Sequence, residues 1–232
     1  MNSNLWVYLA ASPLLWLAGT LVVWLVAVKI AAIRPGNPLL NPIMLSIAVI
    51  AVVLQVTEIH YKTYFEGAQF IHFLLGPATV ALGIPLYEKF ALVKNNLLPM
   101  VTALFIGSLT AVGSTVFLAE MFGLTPSIVA SLAPKSTTAA VAMAISSGLG
   151  GDPALTAAVV ISTGICGAMI VTPLMNAMRI RDYGARGFAV GLASHGIGTA
   201  RAYSVDQVAG VFSGIAMGLN AVLTSLIVHL FL

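Results

Sequence analysis

Apolar runs follow one another along the chain with short polar gaps between them. They occupy residues 5–28, 41–57, 68–87, 97–119, 126–148, 153–178, 187–203 and 207–232. Each is close to the roughly 20 residues that carry a helix across a hydrocarbon core about 30 Å thick. The pattern predicts an all-α polytopic membrane protein with about seven or eight transmembrane or re-entrant helical elements. The gaps are too short to hold a soluble domain, so 1–232 reads as a single integral membrane domain.

Composition agrees with the pattern. The chain is 59% hydrophobic and 7% charged, with a mean hydropathy of +1.03, whereas soluble domains carry about 25% charge. Its net charge of +3 comes from Lys and Arg near the segment ends, which membrane topology explains, so no nucleic-acid partner is expected. The opening "MNSNLWVYLAASPLLWLAGTLVVWLVAVKI" lacks the charged start of a cleavable signal and reads as a retained first helix. Cys166, the single cysteine, reads as a small core residue.

Charge also proposes a topology. Lys29 and Arg34, Lys89 and Lys94, and Arg179, Arg181 and Arg186 mark three basic loops, all expected on the cytoplasmic side. The loop "TEIHYKTYFEG" then suits the opposite side. Three simple spans between Lys94 and Arg179 would break this assignment, so either the middle one is not a simple span or one basic loop lies outside. The middle one, "PSIVASLAPKSTTAAVAMAISSG", is interrupted by Pro134 and Lys135 and is expected to be re-entrant or broken. A repeat supports this: "PMVTALFIGSLTAVG" (99–113) and "PALTAAVVISTGICG" (153–167) match at Pro99/Pro153, Thr102/Thr156, Ala103/Ala157, Ser108/Ser162 and Gly113/Gly167. With all basic loops inside, the copies run in opposite directions, as the repeats of many transporters do.

The interruptions are where chemistry is expected. Proline is tolerated at the first helical position, so Pro77 and Pro134 predict half-helix starts inside the membrane. A half-helix N-terminus offers free N–H donors and a positive dipole end to an anion. Lys135, Ser136, Thr137 and Thr138 would add a cation and hydroxyls. An ammonium at mid-membrane costs at least about 2.5–3.5 kcal/mol without water or a partner. Lys135 therefore contacts a substrate or counter-ion, snorkels to an interface, or pairs with Asp152 or Glu120.

"GLASHGIGTARA" (191–202) is the second such stretch. Gly191, Gly196 and Gly198 weaken the helix and expose backbone. Ser194, Gly198 and Arg201 share a face if helicity persists, with His195 and Thr199 on the neighbouring one. Arg201 either grips a carboxylate through two parallel hydrogen bonds or pairs with Asp206. His195 either carries a proton or bonds a neighbouring helix.

Enzymatic readings are poor. Adjacent Ser194 and His195 point in different directions, and the stretch holds no G-x-S-x-G elbow. His60, His72, His195 and His229 are scattered, so neither a metal site nor a cofactor is expected.

"FLLGPATVALGIPLYEKF", "LAPKSTTAAVAMAIS" and "GLASHGIGTARA" together resemble motifs of the LrgB/CidB family, the larger membrane component of paired bacterial systems. The resemblance runs from about residue 35 to the end. It marks Pro77, Thr79, Pro134, Lys135, Ser136, Thr137, His195, Gly196, Gly198, Thr199 and Arg201 as motif positions. It implies a multi-pass protein of the bacterial inner membrane with a small LrgA/CidA-type partner, and homodimerisation is expected through outer helices. Two functions compete under it. One is holin-like or antiholin-like control of murein hydrolase export and lysis; the other is transport of small hydroxy- or oxo-monocarboxylates such as glycolate, glycerate or pyruvate.

Overall fold

A computed structural model describes residues 12–34, 40, 42–74, 77, 80–81, 83–88 and 90–232. Helices account for nearly all of it. They are α1 (Pro13–Ile33), α2 (Pro42–Val56), α3 (Tyr61–Phe73), α4 (Gly83–Glu88), α5 (Phe90–Asn95), α6 (Leu97–Met121), α7 (Pro126–Leu132), α8 (Ala139–Gly148), α9 (Pro153–Ala177), α10 (Tyr183–Val205) and α11 (Gln207–Ile227). Four of the described helices are long and apolar enough to cross a membrane: α1, α6, α9, and α11 with its terminal 3₁₀ turn.

The chain divides into two compact units, Met1–Gly83 and Ile84–Leu232. In the first, α3 packs on α1. A Cβ on Gly67 would lie 2.9 Å from the Trp16 Cβ, and the Trp16 and Tyr64 rings meet edge-on at 5.9 Å. The expected loop 57–67 is therefore mostly helix: only a short turn precedes α3, which starts before the apolar run at 68 and carries Lys62 and Glu66.

The second unit holds both predicted interruptions. The first separates α7 from α8 and folds the chain back. Thr156 at the start of α9 donates from Oγ1 to the Ser131 carbonyl at 3.0 Å and lies 2.8 Å from the Ser146 hydroxyl. Residues 131 and 146 of a straight helix would stand about 22 Å apart at 1.5 Å per residue. One side chain reaching both means that α7 and α8 form a hairpin with its bend near Thr138. The hairpin returns the chain to the end of α6 before α9 begins, and the start of α6 (Asn96, Pro99) shares a cavity with Asp182 and Gly184, which follow α9, so the two helices headed by Pro99 and Pro153 run in opposite senses. Pro134 does not begin the second half-helix. It is buried in the turn after α7, and α8 starts at Ala139 with Thr138 as its N-cap.

Polarity in this unit is distributed inside-out. Val101, Phe105, Ile106, Leu109, Phe117 and Leu118 of α6 are exposed, while Ser108, Ser131, Ser136, Thr137, Ser146, Thr156, Ser194, Thr199, Ser213, Asn220 and Thr224 are buried. Lipid does not drive helices together by the hydrophobic effect, so close packing and polar contacts take that role. The apolar core of the unit is correspondingly built from small residues as well as large ones, with Val112, Val116 and Ala119 of α6 beside Val129, Ala133, Val211 and Ala216.

Candidate functional site

The second interruption lies within α10, at one residue. His195 has φ 43° and ψ −134°, close to the mirror-image extended conformation at the first central position of a type II′ turn, which favours glycine. The surroundings hold it there. Its Nε2 lies 2.9 Å from the Val160 carbonyl of α9, and because a carbonyl only accepts, Nε2 carries the proton. A Cβ on Gly164 would come within 2.7 Å of the imidazole Cε1, so that glycine makes room for the ring. Thr199 donates to the His195 carbonyl at 2.8 Å and lies 2.9 Å from the Ser213 hydroxyl of α11. His195 thus bonds a neighbouring helix, and this bond pins the turn.

A cleft of about 680 Å³ opens where the two interruptions approach. Lys135 and Ser136 line it from the first and Ser194 from the second. Ser162, Thr163, Cys166 and Gly167 of α9, with Gly107 and Thr110 of α6, complete its polar and small-residue wall. Cys166 is exposed there rather than a core residue. Among the described residues, no carboxylate pairs with Lys135: Asp152 accepts from the Ala154 and Leu155 N–H groups at the head of α9, and Glu120 stands exposed at the end of α6. Ser194 is 1% exposed, and its hydroxyl has no hydrogen-bond partner. A buried hydroxyl without a partner is costly unless something else satisfies it.

The other predicted positions divide between shaping the interruptions and lying elsewhere. Thr137 is fully buried and donates to the Pro134 carbonyl at 3.0 Å, closing the first turn. Gly198 lies where a Cβ would meet the Ser194 Cβ at 2.7 Å, whereas a Cβ on Gly196 would make only an ordinary contact with the Met217 Sδ at 3.9 Å. Helicity does not persist through His195, and Arg201 lines a separate small hollow with Tyr183 and Arg186. Its guanidinium reaches the Ser204 hydroxyl at 3.4 Å, while Asp206 caps α11 through the Val208 and Ala209 N–H groups. Gly191 proves to be a packing residue, since a Cβ there would lie 2.6 Å from the Ser213 Cα. Pro77 is helical and exposed in the first unit, and Thr79 lies outside the described residues.

A second cavity, of about 520 Å³, is lined by Met100, Phe188, Leu192 and Phe212. Its polar side chains are Asn96 and Asp182, so it offers no cation to an anion.

One residue central to the site was not singled out from the sequence. Asn220 of α11 is fully buried, and its Nδ2 donates to the Ser136 and Leu192 carbonyls, at 3.1 Å each. The signal available for it was an amide in the middle of the apolar segment 207–232.

The family model described as "LrgB-like family" matches residues 20–232. The chain belongs to the LrgB-like family. The LrgB-like chain is 34% identical over 219 residues to the holin-like protein CidB of Staphylococcus aureus, covering 93% of each chain. It is also 34% identical over 209 residues to the CidB of Staphylococcus epidermidis, covering 90% of this chain and 91% of that one. A Bacillus subtilis relative, the uncharacterized protein YxaC, is 34% identical over 206 residues, or 89% of each chain. No solved structure matches this LrgB-like protein. With apolar helices long enough to span a bilayer, it is a membrane protein of this holin-like family, which is not an enzyme class.

Proposed function

We propose that this protein is a multi-pass transporter subunit of the bacterial inner membrane that moves small hydroxy- or oxo-monocarboxylates, the class of glycolate, glycerate and pyruvate. The observation that carries the reading is the convergence, in one cleft, of a Lys135 without a carboxylate partner and a Ser194 hydroxyl without a hydrogen-bond partner. A carboxylate on Lys135 would answer the charge, and the substrate's second oxygen would answer Ser194 or Ser136. Thr137, His195, Gly198 and Thr199 serve by building the two turns, and Thr138 and Gly196 by ending and restarting helices there. Arg201 enters the proposal as a motif position outside this cleft, and Pro77 and Thr79 enter it as motif positions carried by the family resemblance alone. A small LrgA/CidA-type protein is the proposed partner and a homodimer the proposed assembly. Carrying one anion into a cell with a negative interior costs about 2.3 kcal/mol per 100 mV, so uptake requires a co-transported cation such as a proton or a steep substrate gradient.

The second reading is a holin-like channel, favoured by the name of the staphylococcal relatives. Uptake of radiolabelled glycolate, glycerate and pyruvate into proteoliposomes, with and without the small partner, separates the two. A carrier gives saturable uptake that Lys135→Ala abolishes. Non-saturable leakage of unrelated solutes, unchanged by Lys135→Ala, establishes the channel.

A further inference from the structure

Asn220 takes no part in the carboxylate chemistry proposed above, yet all the hydrogen-bonding capacity of its amide is engaged. Its Nδ2 donates to the Ser136 carbonyl of the first interruption and to the Leu192 carbonyl of the second. Its Oδ1 accepts from Ser108 of α6 at 2.6 Å and from Thr224, one turn along α11, at 3.2 Å. The orientation of the amide follows from these partners, because two carbonyls can face only the NH₂ group. The Leu192 carbonyl lies three residues before the interruption at His195, where it receives Asn220. The Ser136 carbonyl lies in the stretch between α7 and α8, outside any helix. Ser136 and Leu192 both line the cleft. An amide within an apolar helix is costly unless satisfied, and this one is satisfied by both broken elements at once.

We infer that Asn220 is a positioning residue that couples the two helix interruptions, so that they move around the cleft as one body. This geometry is independent of which solute occupies the cleft; only the uptake measurement below rests on the carrier reading. Hydrogen exchange, read by mass spectrometry on the purified full-length protein in detergent, tests it at residues 133–138 and 192–198. Asn220→Leu removes both donors. Asn220→Asp preserves the shape and the acceptor for Ser108 and Thr224 but puts an oxygen against the carbonyls. In both variants exchange should rise roughly tenfold or more in both stretches together, as expected for the loss of two buried hydrogen bonds, while the middles of α6 and α9 keep their protection. Ser108→Ala, which leaves both Nδ2 bonds, should resemble the wild type in the two stretches. A rise in only one stretch, in neither, or uniformly through α6 and α9 in both Asn220 variants overturns the inference. In proteoliposomes, Asn220→Asp should lower the maximal uptake rate several-fold at an unchanged half-saturating concentration; a change confined to the half-saturating concentration also overturns it. If wild-type protein takes up no carboxylate, the carrier reading fails and the exchange data still decide the coupling.

Discussion

The Ser194 hydroxyl occupies the place that a side chain on Gly167 would need: a Cβ there would overlap Ser194 Oγ and lie 2.8 Å from its Cβ. Broken α10 and long α9 therefore touch through a serine seated on a glycine, at the wall of the cleft. Gly167→Ala should destabilise the protein by about 1–3 kcal/mol through overpacking. Adding Ser194→Gly should restore part of the loss. Thermal unfolding in detergent of both single variants and the double gives the coupling, and additive effects would show that the two residues do not meet.

At His195 the conformation and the side chain make opposite demands. His195→Ala and His195→Gly both lose the bond to Val160, but only glycine adopts a positive φ without strain. The glycine variant is expected to be more stable than the alanine variant by about 1–3 kcal/mol, the usual cost of such backbone strain. Equal unfolding temperatures would mean that the turn does not survive in solution.

The hairpin of α7 and α8 fixes a topology. Since α6 and α9 run in opposite senses, the segment before α6 and the segment after α9 lie at one end of the unit and are expected on one side of the membrane. Lys94→Cys and Arg186→Cys, each placed in a Cys166→Ser background, should both react with an impermeant maleimide from the same face of oriented vesicles. Labelling from opposite faces would show that α7 and α8 cross the membrane instead of returning.

Much of this was legible in the chain itself. Length and apolarity placed α1, α6, α9 and α11, and the charge count together with Pro134 and Lys135 favoured a broken middle element over a basic loop on the outer side. The matched frames at Pro99 and Pro153 located two long helices, α6 and α9. Their equivalent residues nevertheless sit in different surroundings: Ser108 is buried on Asn220, whereas Ser162 is exposed along the cleft and bonds its own helix. Local pattern cannot separate such environments, because tertiary packing decides them. For the same reason Pro134 suggested a helix start, although the chain needs several more residues to turn before α8 can begin. Arg201 appeared to share a face with Ser194 only while α10 was taken as continuous. Asn220 was missed because polarity within an apolar run shows its purpose only when the carbonyls it serves are known.

The glycines of α10 bear on how the protein is made. Gly187 and Gly191 bring this helix against the backbone of α11, where Cβ atoms at either position would lie 2.6 Å from the Ala209 and Ser213 Cα atoms. Unlike α11, α10 does not qualify as a span by its own apolarity. A segment carrying Arg186, His195 and Arg201 is expected to enter lipid poorly alone, so its insertion is expected to depend on the helix synthesised immediately after it. On that expectation biogenesis of the broken element is a two-helix event, since a nascent chain ending before Gln207 leaves α10 without the surface against which its glycines fit.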